Sequence, residues 1–143
     1  MAWRHVACCL DIDGRAERVL AVARTVAAES GARLTLVHGA PRPVLESPTD
    51  GGWTASPDDP SRTAAAWLRE LAGDAGAEAA VVTGTTPSVV CEWAERERPD
   101  LLVVGASRGA LQRATKGGFA AHLAYHAPCH VLVVRPTPRE EER

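Results

Sequence analysis

The sequence predicts an α/β fold: one domain on an open five-stranded parallel sheet, Rossmann-like or flavodoxin-like, with helices on both faces. Three observations carry this. Short apolar runs recur along the chain, as expected of parallel strands buried on both faces. Segments with apolar residues at helical spacing separate them. The connections are short, so each helix should return the chain to a parallel neighbour by a right-handed crossover. The expected strand order is 3-2-1-4-5, with the switch point beside the first strand.

Val6 to Leu10 is the first strand and ends at Asp11. From Ala16 to Ser30, Val19, Leu20, Ala23, Val26 and Ala27 mark one face of a helix, and Gly31 is its stop signal. Leu34, Leu36 and Val37 form the second strand, which closes at His38 and Gly39. The stretch 40–60 holds Pro41, Pro43, Pro48, Pro57 and Pro60 with Gly51 and Gly52, and should be a flexible loop without a regular element. Trp53, at its middle, could pack on the domain or cover a ligand, and packing is the expectation. Thr63 to Ala72 reads as a helix burying Ala65, Ala66, Leu68 and Leu71, capped by Asp59 or Ser61 and ended by Gly73 and Gly76. Ala77 to Val82 is the third strand. Thr86 and Pro87 open a helix with a stripe of Val89, Val90, Trp93 and Ala94, and Arg96 and Arg98 suit its carboxyl end. Pro99-Asp100 breaks it. The domain should span 1–136, with a charged tail over 137–143.

The chain has 143 residues, 45% hydrophobic and 24% charged, enough for one domain and too few for two. A formal net charge of −2 argues against a nucleic-acid partner. No apolar run approaches a membrane span, and the first residues lack a signal peptide's order, so a cytoplasmic location is expected. Cys8, Cys9, Cys91 and Cys129 include no CxxC and read as buried reduced thiols, with Cys8 and Cys9 on opposite faces of their strand.

The chemistry concentrates between Leu101 and Val134. An apolar run stops at Gly105; a glycine-spaced basic loop, an Ala-rich helix, a His-Ala-Pro break and the last apolar run, Val131 to Val134, follow. The loop lies at the carboxyl end of a strand, where open α/β sheets bind ligands. In the expected order it faces the same crevice as Asp11.

The block from Val103 to Arg135, with VVGASRG, KGG and HLAYHAPCHVLVVRP, resembles the universal stress protein family. LDIDGRAERVL at 10–20 is similar to that family's first strand and helix start, and GARLTLVHG at 31–39 to its second strand. The resemblance implies an ATP-binding stress-response regulatory module, with Mg2+ accompanying a bound triphosphate. Its nucleotide binders carry Gly-x2-Gly-x9-Gly-Ser/Thr, whose glycines admit backbone N–H groups to the phosphates. Gly105 and Gly117 match the outer glycines at a spacing one residue short, and Gly118 stands where Ser/Thr is wanted. Arg108 takes the middle position without a gap; Ser107 or Gly109 takes it with one. Arg108, Arg113 and Lys116 bring cations that suit a polyphosphate. By the same resemblance Asp11 meets the sugar and Gly39 offers its main chain to the base. The site so implied is Asp11, Gly39, Gly105, Ser107, Arg108, Gly109, Gly117 and Gly118. The family also contains non-binders that act through protein–protein interaction, which is the alternative expectation.

The last strand should be an apolar sheet edge that invites pairing, and the resemblance implies a homodimer through Val131, Leu132, Val133 and Val134. His122, His126, Cys129 and His130 look like metal ligands. A strand turns Cys129 and His130 apart, however, and no carboxylate nearby in sequence orients a ligand histidine, so no metal site is expected. Neither a G-x-S-x-G elbow nor a P-loop is present, and sequence offers Asp11 no histidine partner. A binding protein, with at most slow ATP hydrolysis, is expected rather than an enzyme.

Overall fold

The computed structural model describes residues 2–11, 16–41, 45–46, 54–55, 60–106 and 118–135. Its strands are β1 (His5–Cys9), β2 (Arg33–Ala40), β3 (Leu45–Glu46), β4 (Thr54–Ala55), β5 (Glu78–Thr83), β6 (Leu101–Gly105) and β7 (His130–Val134). Its helices are α1 (Ala16–Ser30), α2 (Pro60–Ala75), α3 (Pro87–Glu97) and α4 (Gly118–His126). The main sheet runs β5-β2-β1-β6-β7, all parallel. Counted along the chain, this is the expected order 3-2-1-4-5. Trp53 and the tail from 136 onward lie outside the described residues.

The two faces of the sheet bury different sets. Val6, Cys8 and Leu10 meet Val19, Ala23 and Ala27 of α1 and Leu68 and Ala72 of α2. Ala7 and Cys9 meet Val90, Trp93 and Ala94 of α3 and Leu123 of α4. Cys8 and Cys9 do face opposite ways. Leu36, Leu68, Leu102 and Leu123 are fully buried, each contributing about 1.5–3 kcal/mol of apolar transfer.

Local chemistry sets the helix ends. Gly31 (φ 65°) closes α1, with its N–H on Ala28 O at 3.3 Å and the Ala32 N–H on Ala27 O at 2.8 Å. Gly76 repeats this closure after α2, at 3.3 Å to Gly73 O and with the Ala77 N–H 2.8 Å from Ala72 O. Both are paired carbonyl caps that the left-handed glycine permits. Thr86 precedes α3 in extended conformation, but its side chain makes no capping bond. Arg98 (φ 51°) ends α3 with its N–H on Ala94 O at 2.8 Å.

Three expectations need correction. The stretch 40–60 does hold a regular element: β3 and β4 pair antiparallel, Leu45 opposite Ala55 and Glu46 opposite Thr54. Two-residue strands fit the gaps between the prolines. α2 begins at Pro60, where the missing N–H costs nothing, and runs through Gly73 to Ala75. Its buried stripe is Ala64, Leu68 and Ala72, with Ala65 half-buried and Ala66 exposed. Alanines on both sides of the stripe gave the sequence no size contrast from which to set the phase.

Asp100 does more than end α3. Its carboxylate accepts the Arg4 N–H at 2.8 Å and the His5 N–H at 2.9 Å, and its own N–H donates to His5 O at 3.0 Å. Burial alone would push this carboxyl up, but the backbone N–H groups outweigh it and hold it below its ordinary 3.8. The buried His5 ring meets Thr35 Oγ1 at 2.7 Å; burial, then the charge of Arg33, lowers its pKa from 6.5. The unfolded chain therefore takes up a proton that folded His5 resists. Stability should fall as pH drops below 6.5, and again below 3.8 as Asp100 is protonated. Thermal melts from pH 8 to 3 should show both declines. His5→Gln should remove the first and Asp100→Asn the second, and a wild-type melting temperature that is flat between pH 7 and 5 would contradict the role given to His5.

Candidate functional site

The strand order reverses between β1 and β6, so the switch point lies where the chain leaves these two strands. Leu10 lies one residue beyond β1, yet both of its peptide groups are tied to β2. Its N–H donates to Val37 O at 2.9 Å, and its carbonyl accepts from His38 Nδ1 at 2.7 Å. A carbonyl only accepts, so Nδ1 carries the proton. Asp11 Oδ1 stands 4.0 Å from the same nitrogen, too far for a hydrogen bond but close enough for attraction. The His38 side chain is 8% exposed and that of Asp11 81%. Trp67 of α2 presses edge-on against the His38 ring, with centroids 5.8 Å apart.

β1 pairs with β6, Cys9 opposite Val104, so Asp11 and Gly105 leave the sheet at the same edge. The Ala106 N–H continues onto Val134 O at 2.9 Å, and Arg18 of α1 donates to Arg135 O at 2.8 Å. α4 starts at that edge too, since it carries the chain back to the beginning of β7. The structure thus gathers Gly39 and Gly105, on β2 and β6, with Asp11, two residues beyond β1, at one edge of the sheet, and Gly118 opens the helix that follows. Ser107, Arg108, Gly109 and Gly117, and with them Arg113 and Lys116, lie outside the described residues.

The glycines have packing reasons of their own. A Cβ at Gly39 would fall 2.5 Å from Gly84 O, because the β5–α3 turn folds onto β2 there. The Gly84 N–H donates to Ala40 O at 2.6 Å. A Cβ at Gly105 would meet Val19 Cγ2 at 2.9 Å. Gly118 is buried and adopts φ 73°, a left-handed conformation at the first residue of α4. That backbone disfavours the Ser or Thr expected there.

Sequence reading missed two residues. His38 appeared only as a strand end, although it is a polar member of a buried strand and the histidine neighbour that spacing did not offer Asp11. Its proton is committed to a carbonyl, so it is no base for Asp11. Asp100 appeared only as a helix breaker. Both lie far in sequence from what they hold.

Burial raises all four thiols and favours their protonated form at neutral pH. Burial pushes Cys9 up to about 12, aided by the Asp11 charge, and Cys129 up to about 11. Cys129, half-buried, packs against the core while His130 meets Trp3 edge-on with centroids 5.6 Å apart. The His122 and His126 rings lie 4.5 Å apart on α4. Among the described residues, no group of three or more His, Cys, Asp or Glu could hold a metal, and no helix is long and apolar enough to cross a membrane. A depression of about 530 Å³ lies beyond β2, lined by Ala40, Val81, Thr83, Arg62, Ala65 and Arg69 among others.

A doubly wound parallel sheet with a carboxylate at the mouth of its switch-point crevice defines an α/β domain of the kind that receives ligands at the strand ends. The universal stress protein family model matches residues 2–135, and the chain belongs to that family. It is 38% identical over 61 residues to an Arabidopsis thaliana universal stress protein A-like protein, a match covering 42% of this chain and 35% of that one. The matched stretch thus spans about a third of that relative's length. A universal stress protein solved in complex with cAMP superposes at TM-score 0.71 and 24% identity, covering 96% of this chain and all of the other. An Arabidopsis thaliana family protein with AMP bound superposes at TM-score 0.61 and 20% identity, over 96% and 94% of the two chains.

Glycine substitutions separate the packing roles. Gly39→Ala should cost about 2–3 kcal/mol because a backbone carbonyl blocks it. Gly105→Ala should cost about 1–2 kcal/mol, since a side chain can give way. Gly118→Ser should cost about 1 kcal/mol from its φ. Urea unfolding measures all three, and equal costs at 39 and 105 would contradict the close Gly39–Gly84 approach.

Proposed function

We propose that this chain binds an adenine nucleotide of the ATP type, as a stress-response regulatory module. The observation that carries the reading is the Asp11 carboxylate. It is exposed, fixed at the carboxyl edge of the sheet, and adjacent in the sheet to the strand ending at Gly105. A carboxylate so placed can accept from ribose hydroxyls. The glycines alone support the reading less, because packing already requires Gly39 and Gly105. The amino end of α4, with Gly118 free of a side chain, suits phosphate oxygens. In this reading Ser107, Gly109 and Gly117 supply further donors and Arg108 supplies charge. The family structures with cAMP and AMP support an adenine nucleotide as the ligand class. Mg2+ would neutralise a bound triphosphate.

The proposed role is binding rather than turnover, with at most slow ATP hydrolysis, because the one histidine beside Asp11 is buried and occupied as a donor. Calorimetry with ATP and Mg2+ tests this. Heat should appear at micromolar to sub-millimolar nucleotide, and Asp11→Ala should weaken binding about tenfold, about 1.4 kcal/mol. Absence of heat at millimolar ATP would favour a family member that acts only through protein contacts.

We further infer a homodimer through the last strand, Val131 to Val134. β7 is a sheet edge on which Leu132 is 37% and Val133 40% exposed, an apolar edge that favours pairing with another copy. Sedimentation at about 10 µM should show a dimer that Val133→Lys converts to monomer. Wild-type monomer at that concentration would contradict this interface.

A further inference from the structure

His38 is the buried polar group at the crevice mouth that no role above uses. We propose that it is a positioning residue for the nucleotide: by holding the Leu10 carbonyl it sets the direction in which the chain leaves β1, and so presents the Asp11 carboxylate to the sugar hydroxyls. This rests on the nucleotide-binding reading above.

The strand itself argues for such a role. β2 is buried from Leu34 to His38, where an apolar residue would cost least. A histidine there is tolerated because it satisfies a bond. That bond replaces a rung of the ladder: β1 ends at Cys9, and at Leu10 the imidazole N–H, rather than a β2 amide, donates to the carbonyl. With the Leu10 N–H on Val37 O and the Leu10 side chain 3% exposed in the core, the residue is fixed on three sides. Asp11 is the next residue and turns out to solvent. The ring is itself braced by Trp67, and its protonated Nδ1 faces the carboxylate at 4.0 Å. Without the ring, Leu10 O becomes a buried acceptor with no partner, and the Leu10–Asp11 peptide is free to turn.

The test compares ATP with 2′,3′-dideoxy-ATP, which lacks both sugar hydroxyls. Wild type should prefer ATP about tenfold. His38→Asn, whose amide N–H reaches the same carbonyl, should keep the preference. His38→Leu should reduce it to about twofold or less while leaving dideoxy-ATP affinity unchanged, and should have no further effect in an Asp11→Asn background. A merely structural role would weaken both nucleotides alike, and that result, or a preference retained in His38→Leu, overturns the proposal. Should His38→Leu fail to melt cooperatively, the wild-type His38 ring resonances supply the reading. They should shift further with saturating ATP than with saturating dideoxy-ATP, which keeps the base but lacks the hydroxyls that Asp11 accepts, and equal shifts overturn the proposal. Wild type binding both nucleotides equally would overturn it while leaving the nucleotide reading intact. Wild type binding neither would overturn both.

Discussion

β1 is buried along its whole length, flanked by β2 and β6 and covered by helices on both faces. Every backbone polar group of such a strand must find a partner, because water cannot reach it. Inside the strand the neighbours supply them. At its two ends the ladder runs out and side chains take over. Asp100 receives the amides of Arg4 and His5 where the strand begins, and His38 reaches the carbonyl of Leu10 where it stops. The rest of the sheet is aligned on a strand whose ends are tied in this way.

The tie at the exit bears on the proposed site. Asp11 is not the residue preceding α1, which begins five positions later. It is an exposed carboxylate on a fixed stem, beside a histidine and at the same edge as Gly105. Two glycines of the expected site serve close packing, Gly39 against the Gly84 carbonyl and Gly105 against Val19. Gly118 is explained by its φ. Backbone geometry thus accounts for Gly118 where a Ser or Thr was expected, and the proposed nucleotide site rests more on the carboxylate and the helix end than on the spacing of glycines.

Much of this was legible in the sequence where the signal is local. Valines and leucines at helical spacing before Gly31 gave α1 its full extent, and apolar runs gave the five main strands to within a residue or two. The strand order followed from short connections and the flavodoxin-like switch point beside the first strand. What was not legible depends on distance or on small residues. His5 and Asp100 are 95 residues apart, and His38 and Leu10 are 28 apart. No periodicity joins such pairs. The Ala-rich α2 concealed its phase, and the two-residue pairing of β3 with β4 was hidden among prolines. Of the expected site, Asp11, Gly39 and Gly105 converge on one sheet edge with Gly118 at the helix that follows.

The central claim is that the ligand crevice is the mouth between β1 and β6, shaped by the anchoring of Leu10 on β2. Amide chemical-shift mapping during an ATP titration tests it most directly. The largest shifts should fall on Leu10, Asp11, Gly39, Gly105, Ala106 and Gly118, with small changes elsewhere. Shifts confined to the β5–α2 edge around Val81 and Arg69, or to β7, would contradict it.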